Sequence, residues 1–188
     1  SMRSLHEAAN SALPDKKILE VSRMSDHELG KRLSAFNLSF KAPNSERTIS
    51  VECAFQASKV FEKGGPFLDL QHADPADAKR DPRLQQSGRL TGFQYFGTEW
   101  STEPPTALYD WIYINALHLQ EELASELLEF DAFTDIAFNP AKSINCQAKA
   151  AALYVALRKK KLIDEAISSR EAFIQIENGE FFGQGKLI

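Results

Sequence analysis

Cysteine is scarce: the 188 residues contain two, Cys53 and Cys146. Two thiols make neither a disulfide framework nor a zinc site, and both read as reduced thiols of a cytoplasmic protein. Four histidines, at positions 6, 27, 72 and 118, are scattered without ligand spacing. No apolar run approaches the roughly 20 residues of a membrane span, and no secretory h-region opens the chain. Ser1-Met2 reads as a remnant ahead of the native start. GxGxxG, the Walker loop, HExxH and GxSxG are all missing, and with them the familiar dinucleotide, P-loop, zincin and hydrolase signatures. Excess positive charge is missing too: 22 basic residues against 26 acidic ones leave −4. That excludes a protein gripping nucleic acid mainly through phosphate charge, but not one that inspects a single displaced nucleotide.

What is present is an ordinary globular composition, 43% hydrophobic and 26% charged, weighted towards phenylalanine with 13 of them. The pattern predicts a short strand at Ile18–Val21, a helical turn within Asp26–Arg32 and a half-buried strand from Leu33 to Lys41. After a turn and a short return strand at Arg47–Ile49, Ser50 is a good N-cap for a helix from Val51 to about Lys63, stopped by Gly64-Gly65-Pro66. Asp74-Pro75 opens another helix that must end before Pro82. Gln85–Glu103 reads as irregular. From Thr106 to Phe130, Ile112, Ala116, Leu119, Leu123 and Leu127 mark one long core helix. Asp131–Ser143 reads as a loop, and a last helix runs from about Ile144 to Lys161. Phe173–Leu187 reads as a hairpin around Asn178-Gly179. The expected architecture is mainly α with a small β component: one α+β domain over 3–188, with a core of about 18–162 and a hairpin appendage at about 170–188.

The richest stretch is Glu52-Cys53-Ala54-Phe55-Gln56-Ala57-Ser58-Lys59. It sets a carboxylate, an aromatic, an amide and an amine at offsets 0, 3, 4 and 7, one stripe of a helix. Each has a plainer reading. Glu52 in a first turn complements the helix dipole, worth about 0.3–1 kcal/mol. Lys59 alone is a surface lysine, Phe55 a core residue and Gln56 a surface amide.

Glu-x-x-Phe-Gln-Ala-x-Lys-x-Phe, preceded by Leu33-Ser34-Ala35-Phe36-Asn37, resembles the NADAR (NAD and ADP-ribose associated, YbiA-like) family. There an "LSNF"-type segment precedes "E-H-Y-F-Q-A-x-K-F". Asp74 to Arg80 and Gly88-Arg89 are similar to further elements of the family, and Trp100 to its tryptophan. Asp135 to Asn139 and Ser143 to Ala148 resemble its closing block, so the similarity spans about residues 30–158. Cys53 stands where the family has histidine, and Phe138-Asn139 where it has Trp-Gly. These departures resemble the branch found beside DarT-type ADP-ribosyltransferase toxins.

The resemblance implies an antitoxin that removes ADP-ribose from guanine bases of DNA. The alternatives are an N-glycosidase of small ribosyl intermediates and a non-catalytic ADP-ribose-binding module. Glu52, Lys59 and Asp135 are the expected catalytic residues. Ser34, Phe36, Asn37, Phe55, Gln56, Trp100 and Asn145 are the expected substrate contacts, with Phe93 or Tyr95 as further stacking aromatics. Cleaving a ribosyl C–N bond builds positive charge that a carboxylate stabilises. An amine of lowered pKa can attack the anomeric carbon; otherwise Lys59 holds a phosphate or polarises the base while Glu52 activates water. The scheme requires no metal or cofactor. The expected partners are ADP-ribose, ADP-ribosylated DNA with its guanine flipped or single-stranded, and a cognate ADP-ribosyltransferase toxin; no membrane is involved.

Overall fold

The structure is a computed structural model that describes residues 7–9, 11–43, 45–141 and 143–179. In chain order its elements begin with β1 (Ile18–Glu20), α1 (Glu28–Arg32), β2 (Ser39–Lys41), β3 (Thr48–Ser50), α2 (Val51–Ser58) and β4 (Lys59–Phe61). A 3₁₀ turn (Leu68–His72), α3 (Pro75–Arg80), α4 (Arg83–Gln86), β5 (Leu90–Tyr95) and β6 (Thr98–Trp100) follow. The remainder is α5 (Ala107–His118), α6 (Glu121–Leu127), β7 (Ala132–Thr134), α7 (Gln147–Lys159), α8 (Ile163–Ser168) and α9 (Arg170–Glu177). This is an α+β single domain, as expected. Among the described residues no helix is long and apolar enough to cross a membrane.

Two helices form the centre. All eight residues of α2 are buried. Its start is set as the sequence predicts, with the Ser50 hydroxyl accepting from the Cys53 N–H at 3.1 Å. Helix α5 packs against α2 and α7 and buries residues on every side, including Leu108, Ile112, Tyr113 and Leu117, the mark of a helix without a solvent face. The strands form three small sheets around this pair: β1 parallel to β7, the β2–β3 hairpin, and antiparallel β4–β5–β6.

Several elements differ from the sequence expectation. Leu33–Leu38 is a turn rather than a strand: the Ser34 hydroxyl accepts from Phe36 N–H, and Leu38 N–H donates back to the Ser34 carbonyl. The freed carbonyls of Ala35 and Leu38 then accept from Glu52 and Val51, closing the open N-terminus of α2. The irregular segment after Gln85 contains a two-residue hairpin, with Phe96 and Gly97 both at positive φ (44° and 81°). That is the primed-turn geometry, disguised by a phenylalanine where asparagine is usual. The long helix after Thr106 is broken at Leu119-Gln120, where the Gln120 amide donates to Ser39 O; Leu119 is 72% exposed rather than core. The loop after Asp131 begins with β7, paired to β1 across the whole chain.

The C-terminal hairpin is corrected where the structure describes it. Residues 170–177 are the helix α9, capped by the Ser169 hydroxyl on Ala172 N–H. Phe173 and Ile176 are buried in the main core, so this segment is part of the domain body. Residues 180–188 lie outside the described residues.

A charge cluster around buried Asp110 fastens α9 to α5 and α7. Lys149 Nζ donates to Asp110 at 2.6 Å and lies 3.6 Å from Glu177. Burial, and then the Asp110 charge, push the Glu177 carboxyl up to about 7. The folded state therefore binds a proton that the unfolded chain releases near its ordinary value of 4.5. Stability from this group is full below that value and is lost as pH rises through 7. Glu177→Gln should melt above the parent at pH 8 and lose that advantage at pH 5; an identical difference at both pH values contradicts the assignment.

Candidate active site

The helix carrying the predicted stripe ends sooner than the sequence suggests. The Ser58 hydroxyl donates to the Phe55 carbonyl at 2.7 Å, and Lys59 leaves the helix with ψ 131°. It becomes the first residue of β4, paired with Phe93 of β5. Lys59 is thus not on the helical stripe, yet the bend keeps its amine with the group, 4.9 Å from the centre of the Phe55 ring. Gly65 holds this bend. It sits at φ +88°, and an added Cβ would overlap the Lys59 carbonyl oxygen. Gly65→Ala should cost more than about 1 kcal/mol in urea titrations; an unchanged midpoint contradicts this close approach.

Glu52 is 4% exposed. Its Oε1 accepts from the Gln56 amide at 2.8 Å, and its Oε2 lies 3.5 Å from Lys79 Nζ of α3. Gln56 Oε1 is buried with no hydrogen-bond partner among the described residues. Lys59 faces the opposite balance. Burial pulls its amine down to about 8, with Lys79 adding to the effect and Glu52 opposing it. At pH 8 such an amine is half neutral, and an amine attacks only in that form.

Two clefts flank this group. The first, of about 390 Å³, is walled by Phe55, Lys59, Phe93, Tyr109 and Asn145, within the usual size range of small-molecule sites, roughly 300–1,000 Å³. Phe55 meets Phe93 at 5.5 Å and Tyr109 edge-on at 5.2 Å. The second, of about 520 Å³, is lined by Ser34, Phe36, Lys79, Arg80 and Gln147, among others. Glu52 lines neither; it lies beneath Lys79, within electrostatic reach of both amines.

Asp135 joins from the far side of the chain. Buried Glu20 accepts from Thr134 Oγ1 and the Ile136 N–H, which fixes the backbone on either side of Asp135. Asp135 Oδ1 accepts from the Gln147 amide at 3.3 Å, and Gln147 Oε1 accepts from the Ala35 N–H at 2.8 Å. Ala35 O in turn receives the Glu52 backbone N–H, so the Asp135 segment and the start of α2 are fastened to the same residue, Ala35. Burial raises the Asp135 carboxyl above its ordinary value, against the hydrogen bonds from Gln147 and Ala137.

Phe55, Lys59 and Asn145 thus share the first cleft, Glu52 and Gln56 are hydrogen-bonded to each other, and Asp135 is held by Gln147, which lines the second cleft. Ser34 and Phe36 line the second cleft. Asn37 is exposed and donates to the Lys31 carbonyl. Trp100 packs on Trp111 at 5.6 Å, away from both clefts. Tyr95 lies beside Phe96 and lines another groove. Three residues here escaped the sequence reading. Lys79 and Gln147 lie inside segments similar to the family without a role assigned to them, and Tyr109 lies in the first turn of the helix after Thr106, off the pattern that marks its core. Among the described residues no group of three or more His, Cys, Asp or Glu is placed to hold a metal.

No curated protein matches the chain. The DarT1-associated NADAR antitoxin family matches it over residues 1–184, nearly the whole length. The chain therefore belongs to the NADAR antitoxins associated with DarT1.

Proposed function

We propose that this antitoxin is an ADP-ribosyl-guanine hydrolase that restores guanine in DNA modified by its cognate ADP-ribosyltransferase toxin. The association of the family with DarT1 supports such a toxin as the source of the lesion. The observation that carries the chemistry is the Lys59 amine, lowered to about 8 beside buried Glu52 at an aromatic cleft. A lysine lowered in this way has a neutral fraction near pH 7–8 that an ordinary lysine lacks, which supports a nucleophilic role.

In the reaction, neutral Lys59 Nζ attacks the anomeric carbon of the ribose joined to guanine. The C–N bond breaks, its electron pair goes to the guanine nitrogen, and the proton released from Nζ replaces the sugar there. The resulting glycosylamine opens to a Schiff base. Water adds to the same carbon, the amine leaves, and ADP-ribose departs. The Glu52 carboxylate stabilises the positive charge that grows on the ribose and relays the proton. Asp135 accepts from a ribose hydroxyl, and Asn145 donates to the sugar or base. Phe55 and Phe93 lie along the purine, and the Gln56 amide holds the Glu52 carboxylate in place behind them.

The direct test is release of ADP-ribose from a single-stranded oligonucleotide carrying one ADP-ribosylated guanine. The reading expects stoichiometric ADP-ribose and an intact oligonucleotide. No release, with the protein folded, sinks the enzyme reading for this substrate. Asp135→Asn should slow the same reaction on the order of 10²-fold; unaltered turnover removes Asp135 from the site.

A further inference from the structure

The second cleft has a composition that the reaction above does not use. Arg23, from the loop after β1, and Lys79 and Arg80, from the end of α3, converge on it, and no acidic side chain lines it. Arg23 lies 4.1 Å over the Phe36 ring and Lys79 5.1 Å from its centre. All three cations are exposed. Five other arginines, Arg32, Arg83, Arg89, Arg158 and Arg170, each face a carboxylate. Arg23 and Arg80 have no ion pair among the described residues. In a chain with 26 acidic residues against 22 basic ones, three cations around one cleft without an acid on its walls point to an anionic occupant.

We infer that the cleft of Arg23, Phe36, Lys79 and Arg80 is a phosphate-binding subsite for the substrate, resting on the reaction proposed above. Guanidinium forks suit phosphate oxygens bidentately, and the Phe36 ring lies against the Arg23 guanidinium. Lys79 couples the subsite to the chemistry, since its ammonium also reaches Glu52 at 3.5 Å. A phosphate seated there lies one side chain from the reacting carboxylate. The group bound is either the diphosphate of ADP-ribose or a phosphodiester of the strand that carries the modified guanine. The chemistry is the same, and the two sources are separable.

The experiment measures binding, so it does not depend on turnover. Affinities for ADP-ribose and for an unmodified single-stranded oligonucleotide are measured on the parent, Arg23→Gln and Arg80→Gln, with Arg80→Lys as the conservative control. Thermal melts confirm that each variant is folded. The subsite predicts at least about tenfold weaker binding of one ligand in both Gln variants. It also predicts a shallower salt dependence, by about one unit of log–log slope per cation removed. Arg80→Lys should recover part of the loss. Loss confined to ADP-ribose assigns the diphosphate; loss confined to the oligonucleotide assigns the strand. Unchanged affinity for both ligands, or a parent that binds neither, overturns the subsite. A parent that binds through these arginines yet releases no ADP-ribose overturns the proposed reaction and leaves the subsite standing.

Discussion

Lys59→Met is expected to slow release of ADP-ribose from the modified oligonucleotide by on the order of 10³-fold or more while making the protein more stable at pH 7. The first effect follows from removing the proposed nucleophile. The second follows from the lowered amine, about 8 in the fold against an ordinary 10.5. A folded state that holds the proton less tightly than the unfolded chain is penalised whenever the amine is charged. The penalty is full below about 8 and fades as pH rises towards 10.5. Methionine keeps the stem packed on Phe55 without the charge. The lowered value is already net of the attraction to Glu52; discounted for solvent screening and for the carboxylate that methionine leaves without this partner, a stabilisation of about 1 kcal/mol remains, or roughly 2–4 °C in melting temperature. An inactive variant that melts lower than the parent at pH 7 contradicts the desolvated amine. The same amine sets the pH dependence of the parent: kcat/KM should rise as pH increases through about 8 and then level off.

Glu52→Gln is expected to lower kcat by about 10²–10⁴-fold. Glutamine retains an acceptor for the Gln56 amide and fills the same volume, so the fold is preserved. The variant should also change the profile in a way that loss of packing does not. Glu52 is the group that raises the Lys59 amine against burial. Without it the amine becomes neutral at lower pH, and the residual activity should rise earlier on the pH axis than in the parent. A variant that loses activity with an unshifted profile assigns Glu52 to structure rather than to the reacting centre.

What could be seen in the sequence was local. The Ser50 cap, the Asp74-Pro75 start and the buried Ile112, Ala116, Leu123 and Leu127 all depend on neighbours within one or two turns, and the structure has them. What escaped depends on distant partners. Lys59 leaves its helix because β4 pairs with β5 about thirty residues later, which no helical period signals. The stripe at offsets 0, 3, 4 and 7 therefore rests on a helical geometry that does not hold at its last member, although the Lys59 amine stays beside Phe55. Gln147 gains its place only from Ala35, 112 positions away, and from Asp135. Lys79 is an ordinary helix-end lysine until α3 packs beside α2 and sets it against Glu52. At the C-terminus, Asn178-Gly179 mimicked a hairpin turn. The residues before it carry the buried helical face of Phe173 and Ile176 instead.

The central claim is that Lys59 forms a covalent bond to the ribose that leaves guanine. Parent protein turning over the ADP-ribosylated oligonucleotide in the presence of borohydride, followed by intact mass and peptide mapping, tests it most directly. The mechanism predicts a reduced ADP-ribose adduct on the Lys59 peptide, formed only with modified substrate and absent from Lys59→Met. Full turnover with no adduct at Lys59 contradicts it.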